Sequence, residues 1–292
     1  MHNTTLQRIF SMRNIAVVAL VGYFAVFMAY PIIKAFAGSM HNWNPLTDTY
    51  QWVGFENYAQ VLTDSLFWKS IWNTAVYSFF SVAFRVIVGL ALALLLTSKL
   101  VKAKSALRGL FYMPTITPLV AVSFVWMWMY DPQFGMIDKV TGLDIGWLND
   151  SHWAMPAVII MTIWKDFGYA TVLYMAGIMS LPTDVYEAAS LDGAGKWQTF
   201  WKITLPLLRP TTLLIVITSL ITYLQAYIQI LVMTGGGPGT DTYTISYLIY
   251  DQAFTKYNFG VASAMSVILF VLTGVLTLLM FKASGDKLEE SR

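Results

Sequence analysis

The sequence predicts an all-α, polytopic membrane protein with six transmembrane helices. Of its 292 residues, 57% are hydrophobic and only 12% are charged, which is about half the charged fraction of soluble domains. Several apolar runs reach or exceed the roughly 20 residues that a helix needs to cross a bilayer. The basic residues are concentrated in alternate segments between these runs, as they are in multi-pass membrane proteins. These three observations exclude a soluble fold.

The apolar runs and the polar segments between them define the expected spans. Pro31 and Lys34 mark the end of the first run, and the polar, aromatic segment 38–70 should form an external loop with short helices. The third run is entered through Pro114 and Pro118 and leads into an acidic loop at residues 131–152. We expect a single domain over residues 1–292, with spans at about 15–33, 71–96, 110–130, 156–179, 211–233 and 261–281.

The distribution of lysine and arginine predicts that both termini are cytoplasmic. With the N-terminus inside, twelve basic residues fall in inside segments and four in outside segments, and cytoplasmic loops carry the excess in membrane proteins. The twelve are Arg8, Arg13, Lys99, Lys102, Lys104, Arg108, Lys196, Lys202, Arg209, Lys282, Lys287 and Arg292; the four are Lys34, Lys69, Lys139 and Lys256. The polar segment 181–210 then faces the cytoplasm, where ATP is.

Residues 181–210 have the pattern of a helical elbow between two spans. Asp184 and Glu187 have the spacing of a capping box, and a short helix is expected from about 185 to 191. Asp192-Gly193 should end this helix, because glycine adopts the left-handed conformation of helix C-termini at little cost. A second helical segment should place four residues on one face, which suits a membrane surface: Trp197, Phe200, Trp201 and Thr204.

The same segment resembles the EAA loop of the permease subunits of importer-type ABC transporters. The match comprises Glu187-Ala188-Ala189, Asp192-Gly193-Ala194 and Ile203-Thr204-Leu205-Pro206. In that family the loop is the coupling helix, which docks into a cleft of a separate ATPase subunit. The resemblance implies an importer-type ABC permease fold with a cytoplasmic coupling helix. It assigns coupling to the ATPase to five residues: Glu187, Ala188, Ala189, Asp192 and Gly193.

Four further segments are similar to the carbohydrate-uptake branch of these permeases. They are Thr234-Gly235-Gly236-Gly237-Pro238, Gly260-Val261-Ala262-Ser263-Ala264, Phe55-Glu56-Asn57-Tyr58 and Asn73-Thr74. The large external domain of the maltose permease of this branch has no counterpart here. The resemblance implies one subunit of an ATP-driven importer for a sugar or oligosaccharide in a prokaryotic cytoplasmic membrane. The implied partners are a second, homologous permease, two ATPase subunits that bind ATP and magnesium, and an extracellular solute-binding protein.

Three charged residues lie within the expected spans: Arg85, Lys165 and Asp166. A charge inside a membrane is costly, so such residues face the bundle interior, pair with one another or line a substrate path. A direct Arg85–Asp166 pair is one possibility. The alternative is that Arg85 reaches backbone carbonyls and that Lys165 faces a subunit interface.

The family's sugar-contacting positions fall in the fourth and fifth spans. Counted from the Glu-Ala-Ala and Gly-Gly-Pro motifs, they are Thr162, Asp166, Tyr169, Ser219, Tyr223 and Ala226. Ala226 has no polar group, so the neighbouring Gln225 is the candidate to replace it. By this resemblance, Tyr169 and Tyr223 pack against the sugar, and the other polar residues bond to its hydroxyl groups. Hydrogen bonding between helices is the alternative role for these side chains.

The sequence contains no motif for ATP binding or catalysis. Gly195-Lys196 is followed by Trp197, so no Gly-x-x-x-x-Gly-Lys-Ser/Thr loop is present. The chain has no cysteine and three separated histidines, so we expect no enzyme activity, no cofactor or metal, and no nucleic-acid partner. Four other interpretations stay open. The chain could be an ABC permease for another small solute, such as glycerol 3-phosphate or a polyol, or an ABC permease for amino acids or peptides. It could also be a secondary transporter or an intramembrane enzyme.

Overall fold

The structure, a computed structural model, describes residues 12–98 and 101–289, apart from the side chains of residues 13, 15 and 284–289. Arg8, Lys99 and Arg292, which contribute to the charge count above, lie outside the described residues. The chain forms two compact units, the first made of Met1–Asp64 and Ile249–Val271, the second of Ser65–Leu248 and Leu272–Arg292. The expected division into one domain stays an expectation.

The first unit contains a helical span, a hairpin and the start of the last helix. Helices α1 (Met12–Phe24) and α2 (Tyr30–Gly38) are joined by a π-helical turn, and strands β1 (His41–Asn44) and β2 (Thr49–Trp52) pair antiparallel with His41 opposite Trp52. Helix α3 (Glu56–Thr63) follows. The loop was expected to hold only short helices, so the hairpin is a correction. Aromatic residues favour strands, and Asp48 takes the positive φ of 52° that the turn requires.

The Asn57 side chain holds the hairpin against α3. Its amide donates to the carbonyl oxygens of Ser39 and His41, each at 2.9 Å. A Cβ atom at Gly260 would overlap the His41 carbonyl oxygen, so the hairpin and the start of the last helix meet in backbone contact. Phe55-Glu56-Asn57-Tyr58 and Gly260, both quoted above for the resemblance, therefore have a structural role in this unit.

The second unit is built on two long helices that pack along each other, α4 (Ser65–Thr97) and α8 (Ala154–Met179). The close contact depends on small residues: a Cβ atom at Gly89 would lie 2.6 Å from the Cβ of Ala170, and small residues let membrane helices approach closely. Ala170 is also part of a buried apolar core, which consists of Ala93, Leu96, Ala170, Tyr174, Met175, Leu208 and Ile215.

The third expected span is broken, which corrects the prediction of one helix over 110–130. Helix α5 (Lys104–Ile116) and helix α6 (Leu119–Met129) are bent by 97° relative to each other. The break falls at Thr117-Pro118, where both residues are extended, with ψ of 136° and 130°. The residue before a proline is disfavoured in the helical conformation, so a second proline one turn after Pro114 ends the helix. A short helix α7 (Met136–Thr141) follows.

The fifth expected span, 211–233, is also interrupted. Helix α12 (Arg209–Leu224) ends at Leu224, and three residues separate it from the next helix, α13 (Ile228–Met233). Backbone carbonyls freed by the break need partners inside a membrane. Thr244 donates to the carbonyl oxygen of Ala226 at 2.7 Å, and Ser246 donates to that of Leu224 at 3.1 Å. The break is therefore a stabilised feature.

The remaining helices complete the spans and the elbow. They are α9 (Thr183–Leu191), α10 (Lys196–Thr199), a π-helical turn (Phe200–Thr204), α11 (Leu205–Leu207), α14 (Ile245–Tyr250), a second π-helical turn (Asp251–Thr255) and α15 (Phe259–Glu289). Among the described residues, three helical segments are long and apolar enough to cross a membrane: Ala16–Gly38, Ser65–Thr97 and Phe259–Ala283. The two bent pairs, α5–α6 and the segment Lys196–Leu207 with α12, bring this number to five. The 26-residue helix α8, which corresponds to the fourth expected span, is not among them.

Gly168 of α8 offers a direct test of the close packing between α8 and α5. A Cβ atom there would overlap the backbone carbonyl oxygen of Phe111, and backbone cannot move aside cheaply. We expect Gly168→Ala to lower the free energy of unfolding by about 1–3 kcal/mol, measured as a lower melting temperature of the purified chain in detergent.

Gly109 provides the matched control within α5. A Cβ atom there meets nothing within 4 Å, and alanine stabilises a helix by about 0.5–1 kcal/mol relative to glycine. Gly109→Ala should therefore melt at or above the temperature of the unmodified chain. Equal melting temperatures for the two variants would contradict the packing described here.

Candidate functional site

A buried arginine lies at the centre of the second unit. Arg85 of α4 is 6% exposed, and its Nη1 donates to the Ser219 hydroxyl at 3.0 Å and to the Tyr223 hydroxyl at 3.4 Å. Its guanidinium carbon lies 5.2 Å from the ring centre of Tyr169 and 5.8 Å from that of Tyr223. Aromatic faces attract a desolvated cation. Arg85 is therefore held by hydroxyl groups and rings, and none of the ion pairs between described residues includes it.

The Tyr223 hydroxyl links Arg85 to the acidic residue of α8. It donates to Asp166 Oδ2 at 3.1 Å while it accepts from Arg85. The other carboxylate oxygen, Oδ1, lies 3.4 Å from Lys165 Nζ, which also donates to the Thr115 carbonyl oxygen at 3.3 Å. The direct Arg85–Asp166 pair that the sequence left open is thus replaced by a connection through a tyrosine.

A second chain of hydrogen bonds runs beside the first. Gln229 of α13 donates to the Tyr77 hydroxyl at 2.6 Å, and this hydroxyl lies 2.9 Å from the Thr162 hydroxyl oxygen. The Tyr77 ring meets the Tyr223 ring edge to face, with centroids 5.8 Å apart. Sequence reasoning missed Tyr77. The sequence did contain a signal for Tyr77: it lies on α4 about two helical turns before Arg85, and this spacing places the two residues on the same face of the helix.

Some of these side chains border a cavity of about 200 Å³. Of the six expected substrate-path residues, four line it: Thr162, Asp166, Tyr223 and Gln225. Tyr169 and Ser219 are not among its lining residues and instead contact Arg85. Lys165, Ala226 and Gln229 also line the cavity. A concave space with a few convergent polar groups is the usual form of a small-molecule site.

The chemistry of the cavity suits a polyhydroxyl ligand. Asp166 accepts hydrogen bonds, Lys165 donates, and the amides of Gln225 and Gln229 can do both. Tyr223 also lines the cavity, but it is only 1% exposed, so its ring offers little surface to a ligand in this conformation. The break after α12 places Gln225 at the cavity, because the chain leaves the helical path there. The bent fifth span, which the sequence did not predict, is what brings these groups together.

The elbow contains a helix whose end has a well-defined geometry. Helix α9 ends in a Schellman motif: the Ala194 amide donates to the Ala189 carbonyl oxygen at 2.9 Å, and the Gly193 amide donates to that of Ser190 at 3.2 Å. Gly193 has a φ of 74°, as the motif requires. The helix begins at Thr183, and no side chain caps its N-terminus. The predicted Gly193 stop is therefore confirmed, whereas the predicted capping box is wrong.

Most of the surface of α9 and of its C-terminal end is exposed. Glu187, Ala188, Asp192 and Gly193 are exposed, and Ala189 is buried. A cleft of about 310 Å³ lies between α9 and the segment that follows it. Its lining residues are Val185, Ala188, Ala189, Asp192, Ala194, Gln198, Lys202 and Ile203. The Tyr186 hydroxyl lies 3.1 Å from the Thr204 hydroxyl oxygen, which ties α9 to the start of the next span.

An ion pair and two hydrogen bonds connect the glycine-rich loop after α13 to the start of α4. Lys69 Nζ lies 2.7 Å from Asp241 Oδ1, and the Asn73 amide donates to the carbonyl oxygens of Thr240 and Tyr243. The hydrogen bond from Lys69 lowers the pKa of Asp241. The ion pair therefore persists at neutral pH and is lost only as the pH falls through that lowered pKa. Asn73 and the Gly-Gly-Pro segment, quoted separately for the resemblance, are close neighbours in the structure.

Tyr223→Phe should test the connection between Arg85 and Asp166. The change keeps the ring and removes the hydroxyl, so two charged groups each lose a buried partner. We expect a loss of about 1–3 kcal/mol in the free energy of unfolding, measured by thermal unfolding. Tyr169→Phe is the control, because it preserves the ring face against Arg85 and its hydroxyl makes no hydrogen bond among those described. An equal loss in both variants would show that the hydroxyl of Tyr223 has no special role.

The sequence and the fold both match known permeases. The family profile described as "Binding-protein-dependent transport system inner membrane component" matches residues 85–289. The trehalose/maltose transport system permease protein MalF of Thermococcus litoralis is 35% identical over 88% of this chain and 88% of its own length. The multiple sugar-binding transport system permease protein MsmF of Streptococcus mutans is 31% identical over 89% of this chain and 90% of its own length.

Among solved structures, the fold resembles a chain of a bacterial alginate ABC transporter that was crystallised with an alginate pentasaccharide-bound periplasmic protein. The TM-score is 0.82 with 24% identity, and 96% of each chain is covered. This confirms the all-α, importer-type fold expected from the sequence. With a family profile that covers most of its length and relatives above 30% identity, the chain belongs to the family of binding-protein-dependent inner membrane components, the permease subunits of ABC transporters.

Proposed function

We propose that this chain is the transmembrane permease subunit of an ATP-driven importer for a sugar or oligosaccharide. The observation that carries the proposal is the similarity, over almost nine tenths of the chain, to permeases named for maltose, trehalose and multiple sugars. The polar cavity of the second unit supports it, because a hydroxyl-rich ligand needs convergent hydrogen-bond donors and acceptors. ATP is hydrolysed by separate partner subunits, and this chain is not itself an enzyme and holds no cofactor.

The transporter assembles from several chains. A second homologous permease completes the membrane part, two ATPase subunits bind on the cytoplasmic side, and a solute-binding protein delivers the sugar from outside. ATP binding brings the ATPase subunits together, and the spans then expose the cavity to alternate sides of the membrane. The small size of the cavity, about 200 Å³, is consistent with a site that holds one sugar ring and is extended by the partner permease.

Helix α9 is the coupling helix. Glu187, Ala188, Asp192 and Gly193 are exposed on it and around its end, and the Glu187 carboxylate meets a basic or amide group of the ATPase. Tyr186 transmits movement of α9 to Thr204, with which it shares a hydrogen bond at 3.1 Å. The Schellman end stops the helix after nine residues, so that the docking surface is presented on a short, rigid helix.

The cavity is the sugar site, with two kinds of contributing residue. Thr162, Asp166, Tyr223 and Gln225 line it and contact the sugar directly. Tyr169 and Ser219, expected from the resemblance to touch the sugar, act through Arg85, which they hold against Tyr223.

ATP-dependent uptake tests the function and the coupling role together. The complete transporter in proteoliposomes should take up at least one sugar from a panel of neutral and anionic mono- and disaccharides when ATP is supplied on the coupling side. Gly193→Val should reduce uptake at least about tenfold, because a β-branched residue at a φ of 74° is strained and would distort the Schellman end. Gly195→Val is the control, since Gly195 has a φ of −73° and a Cβ atom there meets nothing within 4 Å. Equal uptake by both variants would refute the coupling role, and the absence of uptake of any sugar would refute the proposed function.

Single cysteines test the orientation and the cavity, because the natural chain has none. Asp48→Cys and Asp144→Cys should react with an impermeant thiol reagent added outside intact cells, and Asp192→Cys should not. Labelling of Asp192→Cys from outside would overturn the cytoplasmic position of the elbow.

Gln225→Cys should react more slowly when the transported sugar is present, whereas Asp144→Cys should be unaffected. Equal rates with and without sugar would remove Gln225 from the substrate path.

A further inference from the structure

The groups around the cavity carry an excess of positive charge. Lys165 and Asp166 line the cavity, and Arg85 lies directly behind the lining residue Tyr223, bonded to its hydroxyl at 3.4 Å. Asp166 is the only carboxylate among the residues that line it. Two cations and one anion leave a net charge of one positive unit beside the cavity.

Asp166 does not neutralise both cations. Its Oδ2 accepts from the Tyr223 hydroxyl, and its Oδ1 lies 3.4 Å from Lys165 Nζ. Arg85 has no carboxylate among its described partners, and its Nε is buried without a hydrogen-bond partner in the described part of the chain. Hydroxyl groups and aromatic rings therefore stabilise the positive charge of Arg85, but no carboxylate among its described partners neutralises it.

Lys165 retains capacity for a further partner. Its two contacts, at 3.3 and 3.4 Å, are longer than the 2.7–2.9 Å that is typical of a charge-assisted hydrogen bond. An ammonium group has three N–H donors on a flexible stem, and the side chain is 14% exposed. Lys165 can therefore turn toward a ligand while Tyr223 still satisfies Asp166.

We infer that the cavity takes a sugar that carries an anionic group, such as a carboxylate, sulfonate or phosphate. This inference rests on the proposed function and specifies its substrate class. Lys165 is the direct counter-ion of the anionic group, and Arg85 adds attraction from behind Tyr223. An uncompensated cation is costly in an apolar surrounding, and an anionic ligand removes that cost when it binds. Asp166 accepts hydrogen bonds from the hydroxyl groups of the ring.

Binding of a matched pair of sugars tests the inference. D-galacturonate and D-galactose share one ring and differ by a single carboxylate. Their affinities for the full chain in lipid nanodiscs can be titrated by saturation-transfer NMR, which measures weak binding. Galacturonate should bind about tenfold more tightly or better, as expected for a partly desolvated ion pair.

Variants of Lys165 show whether sugar binding depends on the positive charge of this side chain or only on its size. Lys165→Met should weaken galacturonate binding about tenfold and leave galactose binding within about twofold, whereas Lys165→Arg should retain the preference. Lys102→Met, the same change at an exposed loop position, is the control and should alter neither sugar. The melting temperature of each variant shows whether it is folded.

Two different failures are distinguishable. Equal binding of the two sugars, or an equal effect of Lys165→Met on both, overturns the anionic substrate class and leaves the permease function intact. Absence of ATP-dependent uptake of any sugar, neutral or anionic, by the complete transporter overturns the proposed function and the inference together.

Discussion

The second unit depends on the accommodation of one buried guanidinium group. Arg85 lies in a helix of 33 residues that is apolar enough to span a membrane, and it is 6% exposed. A charge at that position costs about 3 kcal/mol on insertion scales, so the surrounding residues must compensate. Ser219 and Tyr223 of α12 and the ring of Tyr169 of α8 supply that compensation. Arg85 therefore requires α4, α8 and α12 to keep one register relative to one another.

That register determines where the cavity forms. Tyr223 reaches Arg85 from the last turn of α12, and the helix ends one residue later, at Leu224. The break then directs Gln225 to the cavity, with the freed carbonyl groups satisfied by Thr244 and Ser246. The polar groups that stabilise the helix packing and those that line the cavity thus form one continuous network. Hydrogen bonding between helices and contact with a substrate were alternatives at the level of sequence; Thr162, Asp166 and Tyr223 make hydrogen bonds between helices and also line the cavity.

The sequence was sufficient for the features that depend on local chemistry. The all-α membrane fold followed from composition and apolar runs, and the end of α9 followed from Asp192-Gly193, since a left-handed C-terminus needs glycine. The bends at Thr117-Pro118 and after Leu224 were missed, because an apolar run is equally compatible with one straight helix or with two. Helical spacing could place Tyr77 on the same face as Arg85, but the hydrogen-bond partners of Tyr77 could not be predicted. Its partners Thr162 and Gln229 are 85 and 152 residues away along the chain, and no local pattern encodes a contact of that separation.

Because bends flank α12 at both ends, a small rotation at one end of this straight helix produces a larger displacement at its other end. At its start, the segment Lys196–Leu207 meets α12 at 60°, and at its end the chain breaks after Leu224. Between them, 16 residues form a rigid rod of about 24 Å at 1.5 Å per residue. A rotation of about 5° at the elbow end would displace the Tyr223 end by about 2 Å, comparable to the length of one hydrogen bond. A small tilt at the elbow is thus enough to break or remake the contacts of Tyr223 with Arg85 and Asp166, some 20 Å away.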